Sequence, residues 1–88
     1  MKKEELTVFV SDHCFSCTES LLIADQIKRD YPEIVVSVFN IDHARPQVDI
    51  FAVPTYSLNG EIVFLGNPTD EQIGQLFAKR SAARAAKK

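Results

Sequence analysis

The stretch that decides the fold of this chain covers residues 6–17 and reads LTVFVSDHCFSC. Its first part, Leu6–Val10, is rich in β-branched and aromatic residues and is too short for a helix, so it predicts a buried strand. A helical pattern of apolar residues then runs over about residues 15–30, and a proline two positions later ends it. Cys14 and Cys17 therefore lie where a strand passes into a helix.

The rest of the chain predicts three more strands and a second helix. Residues 34–41 read IVVSVFNI, a nearly continuous apolar run that is typical of a strand buried on both faces. Because strand, helix and strand follow one another, the two strands should be parallel and joined by a right-handed crossover. Asn59 and Gly60 lie between two further apolar runs and predict a two-residue hairpin turn, since both residues tolerate positive φ.

The second helix has two possible starts. Thr69 and, three residues later, Gln72 fit a capping box, in which each side chain bonds the backbone N–H of the other residue. A start at Asn67, with Pro68 at the first helical position, fits equally well. The predicted fold class is α/β, in the order β-α-β-(short segment)-β-β-α, with a four-stranded mixed sheet.

The length predicts one domain, and the charge is unevenly divided along it. We expect a domain over residues 1–80 and a basic, Ala-rich C-terminal tail over residues 81–88. The formal net charge is −2, but residues 1–77 carry five Lys/Arg and twelve Asp/Glu, whereas residues 78–88 carry five Lys/Arg and no acid. The basic residues either extend the last helix, where cations are favourable near the C-terminus, or dock nucleic acid or an acidic partner. We expect the first, because no aromatic residue lies among them to stack on bases.

The start of the chain and the cysteine usage predict a cytoplasmic protein. Glu4 and Glu5 follow the first lysines, whereas a secretory signal continues with about 7–15 apolar residues. No apolar run approaches the ~20 residues that span a bilayer. Thiols are kept reduced in the cytoplasm, so a cysteine pair there is redox-active or metal-binding rather than structural.

The spacing of Cys14 and Cys17 suits reversible disulfide chemistry. If Cys14 lies just before or within the first helical turn, Cys17 lies almost directly above it, with the two Cα atoms roughly 5–6 Å apart, which a disulfide accepts. The helix start points unpaired N–H groups and the positive end of its dipole at Cys14, which favours the thiolate and lowers the pKa of this thiol. Cys14 is therefore the predicted nucleophile, and Cys17, which is more covered, the resolving thiol.

Two motifs resemble the thioredoxin superfamily, and the likeness covers about residues 5–78. The motifs are Cys14-Phe15-Ser16-Cys17 and, about forty positions later, Val53-Pro54-Thr55. The short chain is most similar to the small glutaredoxin-like thioredoxins of prokaryotes. The resemblance implies the thioredoxin fold and a thiol–disulfide oxidoreductase that reduces or exchanges protein disulfides. It implies no cofactor, because a reductase or a low-molecular-weight thiol supplies the electrons.

The resemblance also implies how substrates bind. Family members have a cis-proline just before the first strand of the hairpin, opposite the cysteine pair, so Pro54 is expected to be cis. The backbone of Val53 is then expected to pair with an extended substrate segment. Phe15 stands at a position that family members expose, and it serves either as a hydrophobic platform for partners or in packing. The expected partners are protein disulfides and a thiol reductase. We expect a monomer that binds neither membrane nor nucleic acid.

The chain departs from the family pattern around the cysteines. His13, Phe15 and Ser16 stand where thioredoxins have a Trp before the first cysteine and Gly-Pro between the pair. No acid stands near Val8, where thioredoxins have a buried Asp, so the base that deprotonates Cys17 is unassigned. The residues with which glutaredoxins bind glutathione are also replaced. The electron donor is therefore open between a thioredoxin reductase-like protein and glutathione.

The cysteine pair also admits other functions. The His and Cys residues of the chain are His13, Cys14, Cys17 and His43. Their spacing is not that of a closed zinc site, so we expect no metal. The alternatives are an iron–sulfur cluster bridged by Cys14 of two chains, a sulfur carrier, and a non-catalytic binding module with the thioredoxin fold. His13 either stabilises the Cys14 thiolate as an imidazolium or covers the site, and His43 is expected to be solvated.

Overall fold

The structure is a computed structural model that describes residues 4–46, 50 and 52–86. Its elements follow the predicted order, and the short segment between the second and third strands has no regular structure among its described residues. Neither helix in the described part combines the length and the hydropathy that crossing a bilayer requires. The elements are β1 (Glu5–Val10), α1 (Cys17–Asp30), β2 (Val35–Asn40), β3 (Thr55–Leu58), β4 (Glu61–Leu65) and α2 (Asp70–Ala86).

The four strands form one mixed sheet in the order β2-β1-β3-β4. Strand β1 pairs with β2 in parallel and with β3 antiparallel, and β4 pairs antiparallel with β3. Both the predicted mixed sheet and the predicted parallel pair are confirmed. Phe9 near the end of β1 is paired with Thr55 at the start of β3. The chain therefore leaves β1 and enters β3 at the same end of the strands.

The core lies between the sheet and the two helices. Val8 of β1, Ile27 of α1 and Ile73 of α2 are buried together. The ring of Tyr31, just after α1, packs against Phe77 of α2 with the ring centroids 4.5 Å apart. This apolar contact holds the end of the first helix against the second, so the cysteine-bearing helix is fixed to the sheet and to α2.

The prediction that the second strand is buried on both faces is wrong. Strand β2 lies at the edge of the sheet, and the side chain of Val38 is 48% exposed. A continuous apolar run reports the hydrophobicity of a strand, but its burial depends on which elements cover it. At an edge, side chains lose cover from the neighbouring strand that an interior strand such as β1 has on both sides.

Both predicted local motifs of the C-terminal half are confirmed. Asn59 and Gly60 form the two-residue hairpin loop with φ values of 54° and 88°. The capping box forms at Thr69, whose N–H donates to Gln72 Oε1 at 2.8 Å and whose Oγ1 accepts from the Gln72 N–H at 3.2 Å. The helix therefore starts from Thr69 and not from Asn67.

The last helix continues without a break to Ala86. It passes through the predicted boundary between the domain, residues 1–80, and the basic tail, residues 81–88. The division of the chain at this point stays a prediction, and the last two lysines lie outside the described residues.

Candidate active site

The candidate site is the loop between β1 and α1, where Cys14 and Cys17 form a disulfide. Their Cα atoms lie 5.3 Å apart, within the range that the sequence spacing predicts. The N–H of Cys17 donates to the carbonyl of Cys14 at 3.3 Å. The two cysteines thus face each other across one tight turn, from which helix α1 starts.

The two cysteines have different environments. Cys17 is the first residue of α1, and only 5% of it is exposed because it belongs to the hydrophobic core. Cys14 precedes the helix by three residues and is half-buried. A molecule in solution can therefore reach Cys14 far more easily than Cys17. This order of exposure agrees with the expected division into nucleophile and resolving thiol, although the two roles themselves remain predictions.

The N-terminus of α1 has no side-chain cap. Ser16 occupies the N-cap position, but its hydroxyl makes no capping hydrogen bond. Serine is a strong N-cap residue when its oxygen accepts a bond from the first turn, and here the backbone is instead in the α conformation. The positive end of the helix dipole consequently points toward the cysteine turn without a competing hydroxyl.

The second predicted motif, Val53-Pro54-Thr55, lies at the same end of the strands as the cysteine loop. The peptide bond between Val53 and Pro54 is cis, as the resemblance implies. Pro54 is buried, Val53 is half-buried, and the carbonyl of Pro54 accepts the N–H of Gly66 at 2.8 Å. Because Thr55 pairs with Phe9 near the end of β1, this segment and the cysteine loop extend from the same end of the two paired strands.

Three of the predicted site residues line one shallow cleft, and Phe15 does not pack in the core. The cleft has a volume of about 380 Å³ and is lined by Asp12, His13, Cys14, Phe15 and Thr18. The side chain of Phe15 is fully exposed, so a role in packing within this chain is wrong. His13 is also exposed, and its role beside the cysteines stays a prediction. The cleft therefore offers a half-buried sulfur beside an uncovered aromatic ring.

A polar cluster beside the cleft was not predicted from the sequence. His43 is largely exposed, as expected, but its Nε2 lies 3.1 Å from Asp12 Oδ2. Asn40 donates through Nδ2 to Asp12 Oδ1 at 2.9 Å. These hydrogen bonds, from Asn40 first and then from His43, hold the pKa of Asp12 below its usual range. The cluster ties the loop before Cys14 to the end of β2.

A second unpredicted cluster surrounds Asn67, behind the cysteine turn. Asn67 Nδ2 donates to the carbonyl of Ser16 at 2.9 Å and to Glu19 Oε2 at 3.1 Å. Asn67 Oδ1 accepts hydrogen bonds from the hydroxyls of Tyr56, at 2.9 Å, and Ser20. Tyr56 is completely buried, and burial raises the pKa of its hydroxyl. The sequence suggested Asn67 only as a helix start, because its partners are distant along the chain.

No metal centre is recognisable among the described residues. Across residues 4–46, 50 and 52–86, no three His, Cys, Asp or Glu side chains come together in a group that could hold a metal ion. The expectation of no metal in this chain stays a prediction.

Comparison with known proteins gives one sequence relative and clear structural neighbours. No protein-family model matches the chain. Over 84 residues it is 27% identical to a thioredoxin from Methanocaldococcus jannaschii, which covers 91% of this chain and 99% of that protein. A structure of thioredoxin O2 from Arabidopsis thaliana in the oxidized state gives a TM-score of 0.67 at 15% identity, covering 88% of this chain and 74% of that one. A structure of Plasmodium falciparum thioredoxin gives 0.68 at 20% identity, covering 90% and 83%. The predicted thioredoxin fold is confirmed.

Proposed function

We propose that this chain, a member of the thioredoxin superfamily, is a thiol–disulfide oxidoreductase that acts through Cys14 and Cys17. The observation that carries the proposal is the disulfide at the start of α1, in which one cysteine is half-buried and the other is buried. A structural disulfide across such a short loop would add little stability, since it removes little entropy from the unfolded chain. A reversible role accounts better for a cysteine pair at this place.

The reaction transfers two electrons from the cysteine pair to a substrate disulfide. The thiolate of Cys14 attacks one substrate sulfur, the substrate S–S bond breaks, and the other substrate sulfur leaves as a thiolate and takes up a proton. Cys17 then loses its proton and attacks the sulfur of Cys14. The mixed disulfide breaks, the second substrate thiol is released, and the Cys14–Cys17 disulfide forms. The difference in exposure supports this order, because Cys14 is half-buried whereas Cys17 is buried.

Charge around Cys14 supports its role as the nucleophile. The uncapped start of α1 points its positive dipole end at the turn, which stabilises a thiolate. His13 lines the same cleft and as an imidazolium would add to this effect. The carboxylate of Asp12, which is bonded to His43 and Asn40, and that of Glu19 in the first turn of α1 oppose it. The helix start and His13 are therefore the groups that we expect to activate Cys14.

Substrate binding is proposed for Val53, Pro54 and Phe15. The carbonyl of Pro54 is already bonded to the N–H of Gly66, so the backbone of Val53 is the part of this segment that we assign to pairing with an extended substrate. Phe15 supplies an apolar surface beside Cys14. A protein segment bound between them would present its disulfide to the half-buried sulfur.

We further propose that the protein works in the cytoplasm as a monomer with protein disulfides as substrates. A thiol reductase or a low-molecular-weight thiol would return the oxidised pair to the dithiol, and no bound cofactor is needed, because both electrons reside on the two sulfur atoms.

The proposal is tested by replacing each cysteine in turn. Cys14→Ser should abolish the dithiol-dependent reduction of a protein disulfide such as that of insulin. Cys17→Ser keeps the nucleophile but not the resolving thiol, so it should accumulate a mixed disulfide that mass spectrometry detects. Ser37→Ala, an exposed change on β2, is the control and should keep full turnover. Undiminished turnover by Cys14→Ser would overturn the proposal and leave a binding module or a carrier as the better description.

A further inference from the structure

We propose that Asn67 is a positioning residue that fixes the turn between the two cysteines and thereby sets the dithiol–disulfide equilibrium of the pair; this inference rests on the function proposed above. Asn67 lies after β4, far from the cysteines along the chain, and it touches neither sulfur through any of its hydrogen bonds. Its effect is therefore assigned to the backbone that it holds.

The side-chain amide of Asn67 uses its full hydrogen-bonding capacity. An asparagine side chain offers two N–H donors and two acceptor sites on its oxygen. Here both donors are used, on the Ser16 carbonyl and on Glu19, and both acceptor sites are used, by Tyr56 and Ser20. The orientation of the amide is fixed by this arrangement, because its nitrogen faces two acceptors and its oxygen faces two hydroxyls. The side chain cannot rotate without losing several bonds at once.

The cluster is anchored in the interior of the protein. Tyr56 and Ser20 are both completely buried, one on strand β3 and the other on helix α1. A buried polar group that loses its partner is costly, and a fully satisfied network is correspondingly rigid. The side chain of Asn67 is therefore held in place by buried groups, and it can in turn restrain a more exposed segment.

The segment that it holds is the cysteine turn itself. The Ser16 carbonyl lies in the peptide that joins Ser16 to Cys17, and it accepts both Asn67 Nδ2 and the first helical N–H, from Ser20 at 3.2 Å. The residue before Asn67 is Gly66, whose N–H bonds the carbonyl of Pro54. Two adjacent residues thus fasten the two halves of the site, the cysteine turn and the Pro54 segment, at a fixed separation.

The hydrogen bond from Asn67 to Ser16 matters most in the reduced protein. In the oxidised protein the disulfide itself restrains the turn, so losing Asn67 removes a hydrogen bond but little order. In the reduced protein the S–S bond is gone, and the bond from Asn67 to Ser16 helps to keep Cys17 close to Cys14. Removing it frees the reduced turn, lowers the effective concentration of one thiol at the other, and disfavours the disulfide. The loss of one such hydrogen bond corresponds to about a three- to tenfold change in an equilibrium constant.

The experiment measures the equilibrium of the full-length protein with glutathione. Oxidation of the pair transfers two electrons to oxidised glutathione and yields two molecules of reduced glutathione, so the equilibrium constant is read from the oxidised fraction at known glutathione ratios. Three variants are compared with the parent protein. Asn67→Ala removes all four hydrogen bonds, and the uncharged, nearly isosteric Asn67→Leu removes the same bonds while keeping most of the side-chain volume. Tyr56→Phe removes one bond to Asn67 while leaving the donor to Ser16 in place.

We expect both Asn67 variants to disfavour the disulfide about three- to tenfold, and Tyr56→Phe to change the constant less than about twofold. Unchanged constants in both Asn67 variants would overturn the inference. An equal change in Tyr56→Phe would also overturn it, since the effect would then follow the stability of the interior and not the bond to Ser16. If Asn67→Ala does not fold, the nearly isosteric and uncharged Asn67→Leu decides the outcome.

The same data separate this inference from the proposed function. A parent protein that reduces insulin while the Asn67 variants keep its equilibrium constant refutes the role of Asn67 alone. A parent protein without disulfide reductase activity refutes the proposed function, whatever the Asn67 variants do to the equilibrium with glutathione.

Discussion

Replacing Phe15 by Ser tests whether this ring serves docking rather than folding. The side chain is fully exposed between the two cysteines. Its removal opens no cavity and uncovers no buried surface, so the free energy of unfolding should change by less than about 0.5 kcal/mol. Any loss of function in Phe15→Ser can then be assigned to the contact with substrates.

The expected size of that loss follows from the area that the ring can bury. Complete burial of a phenylalanine side chain is worth about 1.5–3 kcal/mol. A docked protein segment covers one face of a ring that stands fully in solvent, which leaves about half of this, or roughly 1 kcal/mol. The KM for a protein disulfide should therefore rise about fivefold. A small aliphatic disulfide cannot cover the ring, so its KM should stay within about twofold.

The assay compares the two substrates in the same steady-state measurement of disulfide reduction. Ile62→Thr is the control, because Ile62 is 44% exposed and lies next to the hairpin turn, at the opposite end of β4 from the site. It should leave both KM values unchanged. The reasoning is refuted if Phe15→Ser leaves the KM for the protein substrate unchanged, or raises both KM values equally.

Three further predictions concern stability. Thr69→Ala removes the capping box and should lower the free energy of unfolding by about 1 kcal/mol and Tm by about 5 °C, measured by thermal denaturation, with disulfide reduction unaffected. Ile27→Ala empties a fully buried position of α1 and should cost about 2–5 kcal/mol in urea unfolding; a cost below 1 kcal/mol would mean that the helix does not pack as described. Asp12 has a pKa below its ordinary 3.8 in the folded protein, so its contribution to stability is complete above this value and disappears as the pH falls below it. Asp12→Asn should therefore lower Tm near neutral pH, and its difference from the parent protein should shrink in acid; a constant difference would contradict this.

The features that the sequence predicted correctly are those encoded within a few residues. The hairpin needs only Asn59 and Gly60, since both adopt positive φ. The start of the last helix needs only Thr69 and Gln72, which bond each other. The cysteine spacing is equally local, because a separation of three residues fixes the Cα distance within one turn.

The features that the sequence missed depend on residues that are far apart. The exposure of β2 follows from its place at the edge of the sheet, which no pattern inside residues 35–40 specifies. Asn67 bonds Ser20 and Ser16 across separations of 47 and 51 residues, and Asp12 meets His43 across 31. Such pairs become visible only once the topology brings the loops at one edge of the sheet together.

The full exposure of Phe15 also gives the protein a convenient optical handle. The sequence contains no tryptophan, so an indole introduced by Phe15→Trp would be the sole strong emitter in the molecule, and its solvent-facing position requires no repacking. The emission of an indole in water shifts to shorter wavelength when a bound protein covers it. The emission of this single ring would then report, without added dye and in real time, how many molecules in a sample have a protein docked at the cysteine turn.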